Sequence, residues 1–171
     1  MPYQKSPTLI SVSDEVTIRN AADPVGAFVL DAELHVPQAI DRVFDFFGDA
    51  FNLEQITPPF LRFEVLTPRP IPMAEGTLID YRLKVRGLPM RWRSEITAWE
   101  PPFRFVDEQR KGPYRLWRHE HTFQAAEGGT IVRDRVTYRV PGGRLVNQLF
   151  VAPDLRRIFQ YRRDALRRVL T

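Results

Sequence analysis

The sequence predicts an α+β fold in which a curved antiparallel sheet closes around one long C-terminal helix. Three observations carry this expectation. Residues 28–36 alternate apolar and polar side chains, the period-two pattern of a half-buried strand. Six further runs follow between residues 60 and 140, divided by proline and glycine turns, and a meander of this kind is antiparallel. Beyond Gly142-Gly143 the apolar spacing changes to that of a helix and persists to Leu170.

Residues 1–27 hold few structural signals apart from Val12, Val16 and Ile18. They read as an N-terminal arm, mobile or added as a short strand, with no assigned role. The domain proper spans 28–171. In its first strand Phe28, Leu30, Ala32, Leu34 and Val36 share one face, which leaves His35 on the outer, solvated face. Pro37 suits a first helical turn, where its missing N–H would have no partner. Ile40, Val43, Phe44 and Phe47 then recur at helical spacing, and a second short helix or turn over 51–56 stops at Pro58-Pro59. Strands are expected over 60–67, 77–86, 90–98, 103–110, 114–124 and 130–140, which with the first make a seven-stranded sheet. Pro68, Pro70 and Pro72 force an extended connection after the 60–67 run. At the C-terminus Leu145, Val146, Leu149 and Phe150 form an apolar stripe that Pro153 interrupts. Asp154 is placed to cap the last segment, in which Leu155, Ile158, Phe159, Leu166 and Val169 continue the stripe. Arg156, Arg157, Arg163, Arg167 and Arg168 occupy the opposite face.

Composition narrows the function classes. With 171 residues, 43% hydrophobic and 12% aromatic, the chain can bury a real core and falls outside the disordered class. It has no cysteine, which excludes disulfides and thiolate metal ligands. No apolar run is long enough to span a bilayer and the start lacks a signal-peptide core, so no stable membrane insertion is expected and the expected location is the cytoplasm. The formal charge of +4 and pI near 9.7 come from arginines spread over alternating positions, as on the outer face of a sheet. No nucleic-acid partner is expected.

The order of strand, two short helices, meander and long helix resembles the START-like helix-grip superfamily, which includes plant pathogenesis-related (Bet v 1-like) allergens, lipid-transfer START domains and polyketide cyclases. The stretches Asn52-Leu-Glu-Gln-Ile-Thr-Pro-Pro59, Phe105-Val-Asp-Glu-Gln109, Gly112-Pro113 and Trp117-Arg-His-Glu-His-Thr-Phe123 are similar to those of bacterial ligand-binding SRPBCC proteins. The resemblance covers residues 28–170 and implies a cavity between sheet and helix. It specifies the fold better than the chemistry, because the superfamily holds both carriers and enzymes.

The residues themselves point to the same cavity. Tyr81, Trp92, Phe103, Phe105, Trp117 and Tyr138 fall on expected inner faces, with Phe159 on the apolar side of the helix. These are more rings than one helix covers, which suggests a bound apolar ligand. Ser94 shares the face of Trp92. If Trp117 and Phe123 point inward, period two brings His119 and His121 with them, and Asp134 follows Val132 and Val136 on the next strand. Asp134 then lies opposite or diagonal to a histidine, where it would fix the imidazole's tautomer and raise its pKa. Asp107 and Gln109 follow Phe103 and Phe105, but their facing depends on the residue count of the Gly112-Pro113 turn. Arg162 falls near the apolar stripe between Phe159 and Leu166 and is expected to snorkel to solvent.

Three readings of the polar cluster stay open. It is a self-satisfied network holding strand register, or the polar end of a pocket that reads a ligand's hydroxyl or carbonyl, or an acid–base site. In the last case His119 or His121 would move protons and Tyr138 would assist. His-x-His with Asp134 could supply three metal ligands, but the spacing alone does not specify a site, and neither metal nor cofactor is assigned. The expected partner is a small hydrophobic molecule: a polyketide, lipid, quinone or sterol-like compound. The alternatives are a cyclase, aromatase or dehydratase, and an interaction module acting through the arginine face of the helix.

Overall fold

A computed structural model describes residues 15–171. Its elements are β1 (Thr17–Asn20), β2 (Phe28–Val36), α1 (Ile40–Gly48), 3₁₀ turns at Ala50–Glu54 and Pro59–Leu61, β3 (Glu64–Val65), β4 (Leu78–Val85), β5 (Leu88–Glu100), β6 (Arg104–Lys111), β7 (Leu116–Ala126) and β8 (Gly129–Arg139). The chain ends in α2 (Gly143–Val146), a π turn over Asn147–Val151 and α3 (Ala152–Val169). The strands form one antiparallel sheet in the order β1-β2-β8-β7-β6-β5-β4-β3, and α3 packs on its concave face. The expected helix-grip architecture is therefore present, with eight strands in place of seven.

The extra strand is β1. It comes from the N-terminal stretch, where Val16 is buried and Thr17–Asn20 pairs with β2; Val12 lies outside the described residues. The strand expected over 60–67 shrinks to Glu64–Val65. A 3₁₀ turn starting at Pro59 occupies its first half, and Arg62 follows in the left-handed region at φ 44°, which no strand can accommodate.

The C-terminal helix also differs at its start. Pro153 does not interrupt it, because the widened turn over Asn147–Val151 precedes it and the proline falls in the first turn of α3, where no donor is needed. Asp154 does not cap the helix but bonds Arg86 at 2.9 and 3.1 Å. Leu155, Phe159 and Leu166 are buried as expected, whereas Val169, Leu145, Leu149 and Phe150 are exposed.

Two apolar clusters meet under the helices. One gathers α1 side chains Val43, Phe44 and Phe47 with Phe105, Phe123, Val132 and Leu166. The other gathers Phe28, Leu30, Val136, Tyr138, Leu155 and Phe159. One irregularity reshapes the first cluster. In the β5–β6 pairing Ile96 faces Asp107 but Ala98 faces Val106, so Thr97 is an unpaired bulge residue. That extra residue reverses the parity of the strand. Trp99, rather than the expected Ala98, then packs inward on Phe44 and Phe105, with ring centroids 5.0 and 5.6 Å apart.

Candidate functional site

Between the sheet and α3 lies a cavity of about 660 Å³, within the range of small-molecule sites. Its wall is apolar: Ile79, Tyr81, Leu83, Trp92, Ile96, Phe105 and Trp117 from the sheet, Phe47 from α1, and Leu155, Ile158 and Phe159 from α3. Its rim includes Phe60, Arg86, Asp154 and Arg157. Arg86 reaches from the β4–β5 turn to Asp154 across this rim, and its guanidinium lies 5.1 Å from the Phe150 ring.

The floor is polar and built by three adjacent strands. Pairing sets Asp107 opposite His119 and His121 opposite Asp134, and strand alternation aims all four at the concave side. His121 Nε2 is 3.1 Å from Asp107 Oδ2, and His119 Nε2 is 3.0 Å from Asp134 Oδ1. His121 Nδ1 is 2.7 Å from the same Asp134 oxygen, though off the line of a hydrogen bond. His119 Nδ1 turns to Asp107 Oδ2 at 3.8 Å. From above, Arg162 of α3 brings Nε to 3.3 Å from Asp134 Oδ2. The β2 residue beside Asp134 is Ala32, whose small side chain leaves room for that approach. Ser94 Oγ accepts from Trp92 Nε1 at 3.0 Å and donates to Asp107 Oδ1 at 3.4 Å.

Burial opposes every charge in this cluster, so its ionisation is decided by neighbours. Burial would raise Asp134, but Arg162 and both histidines outweigh it and hold the carboxyl well below its usual range. Asp107 is likewise held low against burial, chiefly by His121. The histidines split. His119 is pushed down by burial and by the neighbouring His121. For His121 burial is overcome by the carboxylates of Asp107 and Asp134, and its pKa rises. The carboxylates thus favour a proton on His121 over one on His119. His119 Nε2 donates to the Asp134 carboxylate, and Nδ1 faces Asp107 and the cavity.

The profile of the family described as polyketide cyclase / dehydrase and lipid transport matches residues 36–167. The chain belongs to that family. No curated protein sequence matches it. Among solved structures, this family member is similar to protein Ms6760 from Mycobacterium smegmatis, at 19% identity and TM-score 0.65 over 91% of this chain and 97% of that one. It is similar to Ara h 8.0201, at 16% identity and TM-score 0.62 over 84% and 97%. It is also similar to the ginseng major latex-like protein 151 from Panax ginseng, at 12% identity and TM-score 0.61 over 85% and 98%. Identities this low speak for the fold alone.

Within this family member the residues singled out from the sequence fall into three groups. Tyr81, Trp92, Ser94, Phe105, Asp107, Trp117, His119, His121 and Phe159 line the cavity. Asp134 stands behind the histidines and does not line the cavity, although it touches both. Phe103, Gln109 and Tyr138 are elsewhere. Phe103 lies in the turn before β6 and is 62% exposed. Gln109 folds back to close the β6–β7 turn, donating to Tyr114 O at 2.7 Å and accepting from Tyr114 N–H at 3.2 Å. Tyr138 is fully buried, donates to Asn147 Oδ1 at 2.9 Å, and has its pKa raised to about 12 by burial. It is a core residue and does not line the cavity.

Sequence reasoning missed Arg162 as a member of the cluster. The signal was its position in the apolar stripe, and what decides its direction is the buried carboxylate of Asp134 beneath it. His35, read as solvated, is half-buried, with Nε2 3.2 Å from Glu127 O.

Proposed function

We propose that this protein binds a small hydrophobic molecule, a polyketide, lipid, quinone or sterol-like compound, inside the cavity between its sheet and α3. The observation that carries this reading is an apolar chamber of about 660 Å³ with its polar groups gathered at one end. The ligand's apolar body would lie against Tyr81, Trp92, Trp117 and Phe159, and a hydroxyl or carbonyl would meet Ser94, Asp107 and His119. Native mass spectrometry of the protein purified from its own host tests it: a retained apolar compound is expected. With that compound in hand, His119→Gln should weaken binding by up to about tenfold, the value of one hydrogen bond. An unchanged affinity would place the polar end of the ligand elsewhere.

A second reading, a cyclase, aromatase or dehydratase, is favoured by the two cavity-lining histidines in contact with carboxylates. Here His121→Gln should lower turnover by about a hundredfold or more while binding persists, since an amide cannot shuttle protons.

A further inference from the structure

Beyond its role as a polar end, the floor has the composition and geometry of an ion site. We propose that Asp107, His119 and His121 bind one divalent first-row transition-metal ion at the floor of the cavity, with Asp134 orienting the His119 imidazole.

Three donor atoms converge there. Oδ2 of Asp107 lies 3.1 Å from Nε2 of His121 and 3.8 Å from Nδ1 of His119. One donor atom from each residue falls within 4.8 Å of the others. A tetrahedral ion with bonds of about 2.0–2.1 Å holds its ligands roughly 3.3 Å apart, so small side-chain shifts suffice to enclose it. Two imidazole nitrogens and one carboxylate suit zinc or a neighbouring ion of that row.

The nitrogens that do not face Asp107 both lie against one atom. Asp134 Oδ1 is 3.0 Å from His119 Nε2 and 2.7 Å from His121 Nδ1. A carboxylate that accepts the far N–H of a ligating histidine sets its tautomer and aims its lone pair at the metal. Asp134 does this for His119, while His121 Nδ1 lies beside the same oxygen off the hydrogen-bond line; the two ring centroids are 3.8 Å apart.

Charge favours a cation. Asp107 and Asp134 set two carboxylates against the single guanidinium of Arg162, and a bound cation would take the place of any proton on the rings. Asp107, His119 and His121 line the cavity whereas Asp134 does not, so the remaining coordination position opens toward the chamber. That position would take an oxygen of the bound molecule, and only this last clause rests on the cavity reading.

The test uses the full chain, stripped with a chelator and titrated with Co²⁺ while its visible absorption is recorded, then challenged with Zn²⁺. One equivalent of Co²⁺ should bind with the strong d–d bands of a low-symmetry nitrogen and oxygen site, and Zn²⁺ should displace it. Asp107→Asn and His119→Gln should abolish those bands, and Asp134→Asn should weaken binding by about 10–100-fold. His35→Gln, which alters the only other histidine in the chain, should change nothing. Circular dichroism confirms that each variant is folded. If one fails, the wild-type titration and the remaining variant decide the question. No saturable Co²⁺ binding by wild type, or equal binding by His119→Gln and Asp107→Asn, overturns the proposal. The fluorescent apolar probe 8-anilinonaphthalene-1-sulfonate, added to the same samples, separates the two readings. Probe binding without Co²⁺ sinks the metal site alone, and Co²⁺ binding without probe sinks the cavity reading alone.

Discussion

At the scale of single residues the molecule turns on Asp134. It is 6% exposed and touches His119, His121 and Arg162. Removing its charge strands a buried guanidinium, and breaking a buried ion pair from one side costs about 3–5 kcal/mol. Asp134→Asn should therefore lower the unfolding free energy of the chelator-treated protein by about that amount at neutral pH, as read from urea denaturation. The pH dependence has a defined sign. The carboxyl is held below its ordinary value in the folded state, so its contribution is complete above the unfolded value of about 3.9 and is lost as pH falls through the folded value. Wild type should lose stability steeply in that acid window, and Asp134→Asn should show a flatter curve. Equal acid slopes for the two proteins would mean that Asp134 is not ionised in the fold.

At the scale of elements, two devices shape the chamber. The Thr97 bulge turns Trp99 onto α1 and keeps Ile96 on the cavity wall. Deleting Thr97 would straighten the pairing and leave Ala98 opposite Val106 and Trp99 opposite Phe105, so the indole would stay inside. Trp99→Ala removes the ring itself; truncating a large packed aromatic costs up to about 3–5 kcal/mol, and thermal unfolding should show a clear loss for Trp99→Ala and a smaller one for the Thr97 deletion. The second device is the β4–β5 turn. Arg86 and Gly87 both have positive φ, 50° and 82°, the two-residue turn whose twist matches its strands. Arg86 bonds Asp154 from there and spans the rim. The pair is half-exposed, so Arg86→Ala should change stability by less than about 1 kcal/mol. Release of 8-anilinonaphthalene-1-sulfonate, followed by stopped-flow fluorescence, should nevertheless become several-fold faster. An unchanged release rate would place the exit elsewhere on the molecule.

At the scale of the whole molecule, a strongly curved sheet meets one helix that covers only part of its concave face. Phe159, Leu155 and Leu166 seal one side, and the volume between β4, β5 and the first turns of α3 stays open. No helix among the described residues is long and apolar enough to cross a membrane. A chamber left open in this way makes stability depend on ligand. At a hundred times its Kd, a cavity ligand adds about 2.7 kcal/mol, which for a domain of this size raises Tm by roughly 5–10 °C. Calorimetry with 8-anilinonaphthalene-1-sulfonate at that excess should show the shift. A probe that binds without raising Tm is attached to the surface or to unfolded chains.

Within a strand the local sequence sets which residues share a face, because successive side chains must point to opposite faces whatever the rest of the chain does. That local rule placed His119, His121 and Asp134 on one face, with Tyr81 and Trp92 on the inner faces of their own strands, and it indicated more inward rings than one helix covers. Across turns and bulges the rule has no memory, since a single added residue reverses the face. Only the tertiary structure decided that Asp107 joins the histidines while Gln109 closes a turn, that Phe103 leaves the sheet at its end, and that Trp99 replaces Ala98 inside. The helix poses the same problem in another form. Arg162 sits at the margin of an apolar stripe, where propensity and spacing do not choose between solvent and core. A buried carboxylate supplied by β8 makes the choice, and pairing of that kind depends on a contact no local pattern contains.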